Sequence, residues 1–128
     1  MADAAAGLLC LAARLHDEPE RLACDYDFGP APGEPETSVG ELVRRLFALW
    51  TGEPHAGPPV AADDEDRYGL DDPRVGADLG WRPLWSLDEA LSSTVEWYRG
   101  HAAGAHARQL TEAQVARHAA TAAARSPS

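Results

Sequence analysis

Apolar residues recur at three-to-four spacing through most of this chain, and that period predicts helices rather than strands. From about Asp3 to Leu15 it places Leu8, Leu11, Ala12 and Leu15 on one face. Ser38 and Glu41 form a capping pair that opens a strongly amphipathic helix, with Val39, Leu42, Val43, Leu46, Phe47 and Trp50 inward. Asp72-Pro73 followed by Gly80 reads as a short helix, with Asp72 as cap, Pro73 in the first helical position and Gly80 ending it in a left-handed conformation. Pro83 keeps Arg82 extended between Trp81 and Trp85. Ser86 and Glu89 form a second capping box, and Leu87, Ala90, Leu91, Thr94, Val95 and Tyr98 make the buried stripe of the helix it opens. Thr111 and Gln114 mimic a third box before an alanine-rich helix that ends near Arg125, whose thin apolar face predicts fraying or docking on a partner.

The period changes to two in one place. From Ala23 to Phe28, Cys24, Tyr26 and Phe28 alternate with Asp25 and Asp27, which predicts a half-buried strand, and Arg67–Asp71 is a candidate second strand. His16–Arg21, with Pro19, reads as a polar turn, Gly29–Thr37 as a loop, and Thr51–Asp66, rich in Pro, Gly and acid, as irregular. The expected fold is therefore α+β but mostly helical, with four to five helices and one or two short strands. The organisation expected is a lobe over residues 1–110, then the alanine-rich helix and tail over 111–128.

Composition narrows the partners. At 128 residues the chain fits one small domain. A formal charge of −10 argues against nucleic acid and anionic membrane surfaces. Lysine, isoleucine and asparagine are all absent, and a high-GC bacterial genome is the simplest account of that bias. Ala4–Ala13 is too short to span a membrane and lacks the basic start of a secretion signal, so a cytoplasmic location is expected. Cys10 and Cys24 then read as free thiols, and no metal-spaced histidines accompany them.

The run Leu79-Gly80-Trp81-Arg82-Pro83, followed by Glu96-Trp97-Tyr98, resembles the C-terminal tail of extended short-chain dehydrogenase/reductases that act on nucleotide sugars, most closely the CDP-glucose 4,6-dehydratases. Leu70-Asp71 precedes that run as in the family. Upstream, Gly7-Leu8-Leu9 through Leu15 resembles its Gly-Tyr-Leu-Leu-Leu-Ala helix, and Tyr26-Asp27-Phe28-Gly29-Pro30 stands where it has Trp/Tyr-Asn-Phe-Gly-Pro. Ser38-Val39-Gly40-Glu41-Leu42-Val43 through Trp50 is similar to its next helix. The resemblance runs from about Gly7 to Tyr98 and implies the substrate-side lobe of such an enzyme, made as a separate protein.

The catalytic half of the family's pattern has no counterpart here. No G-x-G-x-x-G turn occurs, and a Tyr-x-x-x-Lys motif is impossible in a chain without lysine. Neither NAD chemistry nor any other cofactor is expected. Where the resemblance implies a His-Glu-Ala-like segment near the substrate, this chain has Asp63-Asp64-Glu65, whose charge would repel a diphosphate.

Candidate chemistry rests on two groups of residues. Asp25 and Asp27, with Glu65 and Tyr68, could move protons if something closed over them; the alternative is that these acids face water. Asp63–Asp66 reads as a solvated face rather than a metal site, because it lacks alternating ligands. Tyr26, Trp50, Trp81 and Trp85 could line an aromatic pocket or could simply fill the core. None of the five histidines shows metal or hydrolase spacing.

Three functions follow as expectations. One is a non-catalytic lobe that binds a companion protein in a sugar or secondary-metabolite pathway, or pairs with itself. The second is a cofactor-independent lyase, isomerase or cyclase. The third is a module that binds a small molecule.

Overall fold

The computed structural model describes residues 2–30, 33–35, 37–52 and 72–125. It is mostly helical. Five α-helices, α1 (Ala2–Asp17), α2 (Pro19–Leu22), α3 (Val39–Thr51), α4 (Leu87–Ala102) and α5 (Ala107–Arg125), are joined by a π turn at Val75–Leu79. They pack as a row: α3 lies on α4, α4 on α5, and α5 on α1, which also meets α2 and the π turn.

The core sits at the α1 end of this row. Leu22 is fully buried, Val75 and Leu79 nearly so, and Cys10, Leu11, Leu15, Tyr26, Phe28 and Trp81 close around them. Four residues apart on the π turn, Val75 and Leu79 point to the same side, and both are buried there. Gly80 ends that turn with φ of 66°, and its N–H donates to the Gly76 carbonyl at 3.1 Å. The Asp72 carboxylate accepts from Arg74 N at 3.0 Å, which is the capping role its place before Pro73 predicts.

Several expectations are corrected by packing. His16–Arg21 is not a purely polar turn: Pro19–Leu22 forms one helical turn that drives Leu22 into the core. On α1 the inward residues are Gly7, Cys10, Leu11 and Leu15, while Leu8 and Ala12 face out. Gly7 decides this orientation. A Cβ there would stand 2.6 Å from the Phe28 ring, so α1 approaches Phe28 and Trp81 through the one position without a side chain.

Over 23–28 no strand forms among the described residues, and the segment starts with a tight turn in which Cys24 N donates to the Leu22 carbonyl at 2.8 Å. The expected alternation holds only from Asp25 to Phe28, with Tyr26 and Phe28 turned toward the core and Asp25 and Asp27 exposed, whereas Cys24, expected inward, is exposed. A backbone donor that a ladder would use is taken by a side chain instead, since Asp27 N donates to the Asp72 carboxylate at 3.3 Å. The second candidate strand, Arg67–Asp71, lies outside the described residues, as do Asp63–Asp66 and the tail 126–128.

Ser86 and Glu89 form the full reciprocal capping box. At α3 only half of the pattern forms: Ser38 Oγ accepts from Glu41 N at 3.2 Å, while the Glu41 carboxylate turns to Arg44 and Arg45. No residue of α3 is fully buried. The expected inward stripe of α4 is half right, because Leu91 and Val95 are buried but Thr94 and Tyr98 are exposed. A third buried position, Ser93, faces α5. α5 itself begins at Ala107, so Thr111 is not a cap: its hydroxyl donates to the Ala107 carbonyl and accepts from Trp97 Nε1.

Candidate functional site

Two polar assemblies and one groove surround the segment from Asp72 to Ser86. The first assembly is centred on Asp78 of the π turn. Tyr26 Oη donates to its carboxylate at 3.1 Å and Arg21 at 3.4 Å, and Arg14 donates to its backbone carbonyl at 3.2 Å. Arg74 lies over the Tyr26 ring at 5.8 Å. The Cys24 side chain, then burial, then the Asp78 carboxylate push the Tyr26 phenol well above its usual range. At neutral pH Tyr26 is therefore a fixed proton donor to Asp78 and not a base. Arg74 also grips Asp72 with two bonds of 2.9 Å, which hold that carboxyl below its ordinary value.

The groove lies on the outer side of the same segment. It is open, about 370 Å³ in volume, and is lined by Asp27, Gly29 and Pro30, by Asp72, Pro73 and Val75–Ala77, and by Trp81–Pro83. Trp81 forms its aromatic wall and meets Phe28 edge-on at 5.0 Å. An indole, an exposed carboxylate at Asp27 and an exposed guanidinium at Arg82 suit a small polar molecule.

The second assembly ties the chain's two ends together. The Asp3 carboxylate accepts from Leu84 N at 2.8 Å, Trp85 N at 3.1 Å and His118 Nε2 at 2.8 Å. Burial alone would raise its pKa, but these three bonds outweigh burial and hold it below the usual value. His118 meets Trp85 edge-on at 5.2 Å, and Arg117 lies over the same indole at 5.4 Å. Arg117 also bonds Ser93 and pairs with Glu96, and Arg125 donates to the Leu84 carbonyl.

The sequence candidates are thus dispersed. Asp27 and Trp81 share the groove, and Tyr26 lies behind it on Asp78. Asp25 is exposed. Trp85 is buried beneath α5, and Trp50 is exposed near the end of α3. Glu65 and Tyr68 lie outside the described residues. Asp3, Arg21, Asp78 and His118 were not singled out from the sequence as interacting groups. Local spacing reveals only the Arg21–Glu18 pair three positions apart; the contacts that build these assemblies, Arg21 and Tyr26 to Asp78 and Asp3 to His118, span at least 52 positions. Among the described residues, no three His, Cys, Asp or Glu side chains converge as a metal site, and no helix is long and apolar enough to cross a membrane.

No family model matches the chain, and no solved structure matches it. It is similar to a CDP-glucose 4,6-dehydratase of Salmonella typhimurium, with 29% identity over 102 residues and 73% of this chain covered. The chain spans about a quarter (26%) of that relative's length. A distant relationship to a nucleotide-sugar enzyme of the short-chain dehydrogenase/reductase type is what that comparison supports.

Proposed function

We infer that these 128 residues form a binding lobe of the nucleotide-sugar dehydratase type, which acts by docking on protein in a sugar or secondary-metabolite pathway and exchanges no hydride itself. The observation that carries the reading is the similarity to the dehydratase over most of the chain, combined with a composition that excludes Tyr-x-x-x-Lys within it. The matching motifs fall on structural positions: Gly80 at a left-handed helix end, Trp81 against Phe28, and Gly7 beneath both rings. They shape a lobe and leave apolar side chains, Leu8 and Leu9 of α1, facing outward.

Native mass spectrometry of the purified chain with NAD, and with an NAD-binding protein of the same pathway, tests this. A defined protein complex with no NAD held by the chain alone is the expected result. Stoichiometric NAD on the isolated chain would falsify the reading.

The groove favours a second reading, binding of a small polar ligand against Trp81. Titration with CDP-glucose and with glucose, followed by tryptophan fluorescence in the native chain and in Trp81→Phe, distinguishes it. Saturable quenching that disappears in Trp81→Phe supports ligand binding at the groove.

A further inference from the structure

We propose that the groove beside Trp81 takes a small zwitterion of the amino-acid type, its ammonium on Asp27, its carboxylate on Arg82 and its apolar body against the indole. The proposal rests on the small-ligand reading of the groove and names the ligand's class.

Three charged residues line the groove, and they differ in what is left to bind. Asp72 is fully engaged: its carboxylate accepts from Arg74 N, Nε and Nη2 and from Asp27 N, and is only 7% exposed. Asp27 and Arg82 are not engaged. Both are exposed, and among the described residues neither side chain forms a hydrogen bond or an ion pair, with the other or with any third group. Arg82 is unusual in this, because Arg14, Arg21, Arg74, Arg117 and Arg125 all hold carboxylates. In a chain whose net charge is −10, a guanidinium without a carboxylate is available to a ligand.

Opposite charges in one cavity select a ligand that carries both. A simple anion gains from Arg82 but is repelled by Asp27 and by the net charge of the chain. A simple cation gains from Asp27 and is repelled by Arg82. A zwitterion meets each group with its opposite and carries no net charge of its own. The planar fork of a guanidinium also matches a carboxylate with two parallel hydrogen bonds.

Size and surface narrow the class further. At about 370 Å³ the groove lies near the lower end of small-molecule sites, which run from roughly 300 to 1,000 Å³. Trp81 and three prolines, Pro30, Pro73 and Pro83, give it apolar surface, which favours an apolar side chain on the ligand.

Titration of the full chain with L-phenylalanine, phenethylamine and phenylpropionate, followed by NMR at the Trp81 indole N–H, tests this. The three probes share a ring and differ only in charge, and Trp81→Phe identifies the resonance by its loss. L-phenylalanine should shift that resonance saturably and bind about fivefold or more tightly than either singly charged probe. Asp27→Asn should remove its advantage over phenylpropionate, and Arg82→Gln its advantage over phenethylamine. Both side chains are exposed, so the spectrum of the folded chain should persist in each variant. Equal binding of the three probes overturns the proposal, and so does a preference that survives both substitutions. A saturable shift with CDP-glucose or glucose and none with L-phenylalanine removes the zwitterion but leaves the small-ligand reading standing. No shift with any of these compounds at millimolar concentration removes both.

Discussion

Asp3 and His118 are 115 positions apart in the chain and 2.8 Å apart in the fold, joined between the first turn of α1 and the middle of α5. The carboxylate also holds the Leu84 and Trp85 amides, so one side chain fixes both helices and the corner that leads into α4. Both side chains are largely buried, at 17% and 13% exposure, which strengthens the bond and raises the cost of breaking it.

Asp3→Ala should therefore destabilise the fold by about 2–4 kcal/mol, because three donors lose a charged acceptor together. His118→Ala should cost less. A double-mutant cycle by urea denaturation should return a coupling energy of about 1 kcal/mol or more. Strict additivity of the two substitutions would show that the pair does not act as a unit.

Acid should expose the same knot. The Asp3 pKa lies below its ordinary 3.8 in the folded chain, so its stabilisation is complete above that value and is lost as pH falls through the lower, folded-state one. The thermal midpoint should drop below about pH 4 in the native chain, and less steeply in Asp3→Asn, which no longer titrates there. Parallel curves for the two proteins would contradict this account.

Gly7→Ala and Gly100→Ala separate close packing from helix propensity. Both substitutions gain about 1 kcal/mol of intrinsic helix preference. At Gly7 the added carbon meets the rigid Phe28 ring at 2.6 Å, so a net loss of about 1–3 kcal/mol is expected. At Gly100 it meets a Leu110 methyl at 2.8 Å, which can rotate away, and the net effect should be near zero. Phe28→Leu should recover part of the Gly7→Ala loss. Denaturation midpoints of the four proteins decide this.

No residue of α5 is fully buried, and polar bonds hold it: Gln114 to the Ser93 carbonyl, Arg117 to Glu96 and Ser93, and Trp97 to Thr111. Its amides should exchange with deuterium faster than those of α4, and Arg117→Ala should accelerate α5 while leaving α1 nearly unchanged. Exchange of α5 and α4 at one common rate would mean that α5 belongs to the cooperative core.

Helical identity was legible because it is written locally. Ser86 and Glu89 are three positions apart, Asp72 caps its own turn, and Gly80 needs no partner to adopt a left-handed conformation. Less of the site could be read. Asp27 and Trp81 were selected as chemistry-bearing types and share a groove, but Trp85, selected on the same grounds, is covered by α5. The sequence does not say which aromatic will be covered by which helix.

By itself, then, the sequence determined the period, the caps, the acidic balance and the absence of a lysine-based motif, because each is a property of neighbouring residues or of composition. Tertiary structure decided which face of α1 turns inward, through the missing side chain of Gly7, and whether 23–28 finds a ladder. It also decided that α5 docks on its own chain. These outcomes depend on contacts between segments far apart in the chain, and no spacing rule reaches across such a distance.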